Sequence, residues 1–469
     1  MKLLERASVV DGFVVGDCMH AGGMAHIYRV GYANGRAAPF PMAMKVPRMT
    51  QGDGAENIVS FEVELQIMPV LRGPHVPRFV AAGDLRTLPY IVMEYFEGQT
   101  LQAVLDAGGA RQEVERIRQW AAALAQAVHS LHLQNVCHLD LKPANVLVRP
   151  DGTVVLLDFG LSRHAQLPDL LAEELRLAVG SPPWIAPEQV VGVRGDPRSD
   201  LFAIGVILYE LATGELPFGD PQTAGGLRQR LWAEPAPPRQ HRPDLPEWLQ
   251  EIILRCLEAE ADRRYPSAAH LAFDLAHPQQ VAITARGRRV RRAGLREQAR
   301  RWLWAAGLHY QPSALPEAQV QQVPIVMAAV PHHDVSDATL YSLREAVQRS
   351  LGTRKGARLA CVTVIAPVSA DETVAHRRYL GMLHQWAQPL ALDGHQVSFH
   401  VLESGDVAQA LLRYAQGNQV SIIVMGAATH GLQMQRLIAT VPIRVAMQAP
   451  CTVLLVKQAL PFERLAGPA

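Results

Sequence analysis

Over the first hundred residues the apolar positions come in short bursts: Val9–Val15, Ala25–Val30, Ala43–Val46 and Tyr90–Met93. Gly, Pro and Asp separate them, a pattern that predicts strands joined by turns. Ile58–Leu71 breaks the pattern. There Phe61, Leu65 and Met68 recur at helical spacing, and Pro69 with Gly73-Pro74 stops the element. From Glu113 the chain reads as helical: Arg116–Leu133 is rich in Ala and Leu, Leu201–Thr213 is strongly apolar, and Leu249–Cys256 and Ser267–Leu275 follow. Between the first two helices, Val146–Val148 and Val154–Leu157 flank Pro150-Asp151-Gly152, the pattern of a small hairpin with polar residues at both ends. A strand-rich lobe (about 11–93) joined to a helical lobe (about 96–277) predicts a two-lobed α+β domain.

The rhythm changes near Val320. Apolar strand patterns at Pro324–Val330, Ala357–Ile365, Gln396–Leu402, Ser421–Met425 and Cys451–Lys457 alternate with helical patterns at Asp337–Ser350, Glu372–Trp386, Asp406–Gln416 and Leu432–Ala439. Such alternation means βαβ crossovers, so a separate three-layer α/β domain with a mainly parallel sheet is expected over 320–458. Ile422–Met425 running into Gly426 is the natural edge of a ligand crevice in such a sheet. Between the domains, 278–319 reads as a linker crowded with arginines, among them Arg288, Arg289, Arg291, Arg292, Arg300 and Arg301. A nucleic-acid or anionic-lipid patch is one reading. Because no aromatics interleave the basic stretch, a solvated linker helix is the plainer one, and no nucleic acid is expected as a partner.

Composition narrows the class. Over 469 residues, 49% hydrophobic and 19% charged content fit a globular protein of two or more domains, and a net charge of +1 gives no global reason to bind nucleic acid. Cys18, Cys137, Cys256, Cys361 and Cys451 are too scattered for a zinc knuckle and read as reduced thiols of a cytoplasmic protein. The N-terminal stretch is no signal peptide, and Trp302–Leu308 is far too short to span a bilayer.

The candidate chemistry is phosphoryl transfer, which needs a held polyphosphate, a held divalent metal and a hydroxyl aligned with a carboxylate. The turn His20-Ala21-Gly22-Gly23-Met24-Ala25 lets backbone amides approach phosphate oxygens. Lys45 sits in the apolar strand Met42–Val46, where an unpaired ammonium is costly, and Glu64 on the following helix can partner it. The plainer alternative is a surface lysine on an edge strand. His138-Leu139-Asp140-Leu141-Lys142-Pro143-Ala144-Asn145 and Asp158-Phe159-Gly160 supply short hard-oxygen ligands that can converge on Mg2+ and phosphates.

In order and identity these motifs resemble the eukaryotic-type protein kinase domain, in particular the bacterial serine/threonine kinases, over about Asp11–His277. The resemblance implies the protein kinase fold, use of ATP with Mg2+ (or Mn2+) and transfer to Ser or Thr of protein substrates. It places Gly22 and Gly23 over the phosphates, Lys45 on the α/β-phosphates with Glu64 as its partner, and Ala43, Met93, Glu94 and Tyr95 around the adenine. It makes Asp140 the residue that orients and accepts the hydroxyl proton, puts Lys142 near the γ-phosphate, and gives magnesium to Asn145 and Asp158. Ser181 and Ala186-Pro187-Glu188 then belong to the substrate-receiving segment, Glu188 pairs with Arg264, and Asp200 anchors the catalytic loop. Three departures stand out. His20 replaces the first loop glycine, Ala25 stands near where the family often has a third, and Leu139 replaces the arginine that in the family grips a phosphothreonine of the activation segment. The expectation is a kinase not switched on by phosphorylation there. The alternative function is a pseudokinase scaffold. A small-molecule kinase fits less well, because Gly180–Glu188 looks like a peptide-receiving loop.

From about Val320 to Lys457 the chain resembles the universal stress protein family, most clearly in Ile422–Gly426 and Ala449–Val456. Gly426 is kept. Thr429 stands for a second glycine, Ala439-Thr440 for the later pair, and His332, His333 and Asp334 occupy an altered first loop. Nucleotide binding there and a homodimerisation or docking surface both stay open, with either able to regulate the kinase domain.

Overall fold

The computed structural model describes residues 4–22, 25–48, 55–84, 88–108, 111–165, 167, 171, 180–292, 300, 302–303, 324–333, 336–352, 357–367, 372–418, 420–427 and 440–457. The chain divides into two units, Met1–Gln319 and Val320–Ala469.

The first unit opens with strands β1 (Val9–Val10), β2 (Phe13–Ala21), β3 (Ala25–Tyr32) and β4 (Met42–Pro47), followed by helix α1 (Ala55–Ile67), β5 (Phe79–Ala82) and β6 (Ile91–Glu94). They form a six-stranded antiparallel sheet in the order β1-β2-β3-β4-β6-β5. The run Val9–Val15 is therefore two strands, because Asp11 and Gly12 turn the chain at φ 45° and 85°. Alternation buries Phe13, Val15, Tyr28, Val30, Met42, Met44 and Val92 on one face. In α1 the buried stripe runs through Val59, Val63 and Ile67, with Phe61 and Met68 also buried; Leu65, expected on the inner face, is half-exposed. Four-residue steps along a helix return to the same side, and Glu64 lies beside that stripe, toward the cleft.

The helical lobe is built on α2 (Leu101–Asp106), α3 (Val114–His132), α4 (Pro187–Val190), α5 (Arg198–Thr213), α6 (Ala224–Arg228), α7 (Glu247–Cys256) and α8 (Ala268–Ala276). Helix α5 is buried almost throughout and ends at Gly214, whose φ of 79° gives the left-handed stop. Gly205, inside it, has no room for a side chain, since a Cβ would lie 2.6 Å from that of Cys256. The small hairpin is present: β9 (Val146–Val148) pairs with β10 (Val154–Leu156), and β7 (Gln99–Thr100) adds to β9, while β8 (Val136–Cys137) pairs with β11 (Arg163–His164).

The chain beyond His277 stays attached to this lobe. Helix α9 (Ala285–Arg288) lies on α7. The buried Glu251 carboxylate accepts from the Thr284 and Gly287 amides at 3.0 and 2.8 Å and from Thr284 Oγ1 at 2.9 Å. Gln250 Nε2 donates to the carbonyls of Arg286, Gly287 and Arg289. The first part of the arginine stretch is thus held by α7, with Arg289 paired to Glu234 at 2.7 Å.

The second unit is a five-stranded parallel sheet in the order β14-β13-β12-β15-β16, from β12 (Ile325–Ala329), β13 (Arg358–Ile365), β14 (Gln396–Glu403), β15 (Ile422–Gly426) and β16 (Thr452–Val456). Helices α10 (Asp337–Leu351), α11 (Glu372–Ala387), α12 (Val407–Gly417) and α13 (Val441–Gln448) connect the strands. The expected helix Leu432–Ala439 lies outside the described residues. Helix α13 was not foreseen, because Pro442 reads as a breaker yet sits in a first turn, where a missing N–H costs nothing.

Candidate active site

Lys45 is placed by β4 and Glu64 by α1, and their side chains meet at 2.6 Å. Lys45 Nζ also reaches Asp158 Oδ1 at 2.9 Å. Burial disfavours the Lys45 charge, but Asp158 and Glu64 outweigh it and hold the ammonium protonated well above its ordinary range. Asp158 is drawn down to about 2, chiefly by the Lys45 charge. For Glu64, burial works against the charge and Lys45 offsets part of that cost. Asp158 takes a φ of 63°, a conformation that a non-glycine residue adopts only when its surroundings fix it. Gly160 follows because a Cβ there would lie 2.2 Å from Ser60 Oγ on α1.

The second cluster grows from the loop before β9. Asp140 Oδ1 accepts from the Ser181 amide at 2.9 Å, and Lys142 Nζ bridges Asp140 Oδ2 at 2.9 Å and Ser181 Oγ at 2.8 Å. Asn145 Nδ2 donates to the Asp140 carbonyl at 2.9 Å, which leaves its amide oxygen to other partners. Below the loop, fully buried Asp200 accepts from the His138 and Leu139 amides at 2.9 and 2.8 Å and meets His132 Nε2 at 2.8 Å. Glu188 and Arg264 form a buried bidentate pair at 2.7 and 2.8 Å.

The Lys45, Glu64, Asn145 and Asp158 side chains face one cleft of about 410 Å3, with Ala43, Ile27, Met93, Leu147 and Leu157 among its apolar walls. Gly22 and His20 lie at its rim; a Cβ on Gly22 would approach His20 Nε2 to 3.0 Å, so the imidazole lies against the turn. Gly23 lies outside the described residues. Glu94 and Tyr95 border the cleft, but their amides are engaged, donating to the Arg78 and Pro41 carbonyls at 2.9 and 2.8 Å. The next amide, Phe96, makes no hydrogen bond within the chain among the described residues, and Phe96 lines the cleft.

Sequence reasoning missed Phe96, His132 and Gln189. The Gln189 amide accepts from the Ala186 N–H and donates to the Leu139 carbonyl, both at 3.0 Å. A glutamine in the first turn of a helix opened by a proline was the available signal.

The donor set suits a hard cation held with a phosphate-bearing partner. One carboxylate and one amide oxygen are what magnesium takes from protein when phosphates complete its shell.

In the second unit a cavity of about 230 Å3 opens at the carboxyl ends of β12, β13 and β15. Val330, Val362, Val364, Leu411, Met425 and Gly426 line it, with His332 and His333 at one corner, and among the described residues no lysine or arginine does.

Residues 21–274 match the protein kinase domain, and residues 329–457 match the universal stress protein family. Serine/threonine-protein kinase PknB of Mycobacterium leprae is 30% identical over 269 residues, covering 56% of this chain and 42% of that protein. PknB of Mycolicibacterium smegmatis is 29% identical over 272 residues with the same coverage. The chain spans less than half the length of these curated relatives. Among solved structures, the PknI kinase domain of Mycobacterium tuberculosis aligns at a TM-score of 0.47 and 23% identity, covering 58% of this chain and 99% of that one. With more than half its length matched, the chain belongs to the protein kinase family, its eukaryotic-type kinase domain joined to a C-terminal universal stress protein domain.

Proposed function

We propose that this chain is an active serine/threonine protein kinase that transfers the γ-phosphate of ATP to hydroxyls of protein substrates. The observation that carries the reading is the convergence of Lys45, Glu64, Asn145 and Asp158 on one cleft, with Asp140 and Lys142 tied to Ser181 beside it. Lys45, charged and oriented by Glu64, binds the α/β-phosphates, and the turn at Gly22 and Gly23 covers them. The cleft walls at Ala43, Met93, Glu94 and Tyr95 take the adenine, and the unengaged Phe96 amide is its hydrogen-bond donor. Asn145 and Asp158 hold Mg2+, which neutralises phosphate charge. Asp140 orients the substrate hydroxyl and accepts its proton, and Lys142 steadies the γ-phosphoryl charge from the Ser181 side. A scaffold without phosphotransfer would have no need of this paired set. The test is transfer of labelled γ-phosphate from Mg-ATP to a basic protein, beside an Asp158→Asn control. Incorporation on serine or threonine that disappears in the control supports the kinase; ATP binding with no transfer by the parent chain would favour the scaffold.

For the second unit we propose self-association rather than nucleotide binding. The edge strand β16 exposes Leu454 and Leu455 at 39% and 42%, with Met447 of α13 at 78%. Apolar side chains on an unpaired edge strand are suited to a second copy of the chain. Leu455→Glu should shift the chain to monomer in sedimentation; a parent chain already monomeric at micromolar concentration rules the idea out. Among the described residues no helix is long and apolar enough to cross a membrane, and the five cysteines are free thiols.

A further inference from the structure

Leu139 precedes Asp140, and its position is unusual in three ways. Its side chain is buried at 4% exposure, its φ is 62°, and both its backbone polar groups are engaged. From one side Asp200 accepts its amide. From the other, Gln189 donates to its carbonyl. Gln189 is itself 4% exposed, and the oxygen of the same side-chain amide accepts from Ala186, the residue that opens α4. One neutral amide therefore joins the backbone immediately before Asp140 to the end of the segment that carries Ser181. Gly180 completes the joint: its φ is 139°, and a Cβ there would stand 2.9 Å from the Ile185 side chain, which leaves space for glycine alone.

We propose that Gln189 is a positioning residue that locks the catalytic loop to the substrate-receiving segment through the Leu139 carbonyl, doing constitutively what a charged clamp does on demand elsewhere. The inference rests on the kinase reading above. A buried leucine offers no charge to a phosphorylated side chain, so loop and segment must be tied by contacts already present in the unmodified chain. Three bonds do this near Asp140: the Ser181 amide to Asp140, the Lys142 ammonium to the Ser181 hydroxyl, and the Gln189 amide to Leu139. Of these only the Gln189 bond joins two uncharged groups, so the register it sets depends neither on phosphorylation nor on salt.

Two variants of the full chain separate the roles of the amide. Gln189→Glu keeps an oxygen for Ala186 but turns a carboxylate toward the Leu139 carbonyl; Gln189→Leu loses both bonds. Phosphorylation of a basic protein should fall at least tenfold in kcat for both at pH 8, with the dissociation constant for Mg-ATP within twofold of the parent. As the pH falls toward 6, Gln189→Glu should recover relative to the parent, because a buried carboxyl near a carbonyl takes a proton readily and regains a donor. Gln189→Leu should not recover. A merely structural loss moves both variants alike and shows no such rescue. Hydrogen exchange supplies a readout independent of activity: at pH 8, residues 138–140 should exchange faster in both variants, and the Ala186 amide only in Gln189→Leu. Unchanged exchange at 138–140, or a Gln189→Glu rate within twofold of the parent, overturns the proposal. A parent chain that transfers no phosphate defeats the kinase reading, while the exchange data still decide whether the lock exists.

Discussion

Removing the Arg264 guanidinium should be among the most damaging single changes to the first unit. Its side chain is fully buried, donates twice to Glu188, and also donates to the carbonyls of Glu258, Arg198 and Ala259 at 2.8, 2.8 and 3.2 Å. It lies over the Phe202 ring at 5.0 Å. In Arg264→Met, Glu188 keeps only the Ser199 hydroxyl among its side-chain partners, at 2.6 Å, and three carbonyls lose a donor. Breaking a buried pair from one side costs about 3–5 kcal/mol. The carbonyls do not add their full penalties, since relaxation and water entry recover part of them. A loss of roughly 4 kcal/mol lowers the midpoint of a unit this size by about 6 °C. Scanning calorimetry of the full chain checks this, with the transition of the second unit as internal reference. Adding Glu188→Leu should recover at least ~2 kcal/mol relative to the sum of the single changes, because no orphaned charge then remains. Additivity within ~0.5 kcal/mol, or a single-variant loss below ~1 kcal/mol, would refute the reasoning.

Two further outcomes are expected. Gly160→Ala forces a Cβ to 2.2 Å from Ser60 Oγ, so α1 must move and the Lys45–Glu64 contact one turn away must loosen; transfer should drop at least about tenfold, and adding Ser60→Ala should restore most of it, a failure to do so excluding the steric cause. Glu210 is half-buried with one carboxylate oxygen unpartnered, and burial followed by repulsion from Asp106 raises its pKa to about 7. A raised carboxyl pKa means the folded state keeps the proton, so stability falls as pH climbs toward 7 and stays lowered above it. Discounted for partial exposure, Glu210→Gln should stabilise the first unit by about 1–2 kcal/mol at pH 8.5 and by roughly a quarter of that at pH 5; equal gains at both pH values would point to another cause.

The readable and unreadable parts of the site differ in a physical way. Lys45, Glu64, Asp140, Asn145 and Asp158 could be picked out because an ammonium in an apolar strand, or a run of short carboxyl and amide side chains next to apolar strands, makes little sense without partners. The structure brings those groups within bonding distance of one another in two linked clusters. Phe96 and Gln189 act through a backbone amide and a neutral side chain, whose value depends on what the fold sets opposite them, and no periodicity reports that. Helical spacing picked out Phe61 and Met68, which are buried, but it could not show that Val59, Val63 and Ile67 are buried too while Leu65 is only partly so. In the second unit the five strands and the helices α10, α11 and α12 were legible from the β/α alternation, while the helix begun by Thr440 and Pro442 was not.

The clip formed by Thr284, Gly287, Gln250 and Glu251 bears on how the kinase-domain half can be prepared by itself. Similarity to kinase domains ends at residue 274, which invites a fragment cut at His277. That cut removes Val281 and Ile283 from the apolar core of the helical lobe and bares the outer side of α7. Newly uncovered apolar surface of this kind promotes aggregation. A fragment carried on to Arg292 retains the clip, so the smallest piece that expresses well should be longer than the smallest piece that looks like a kinase.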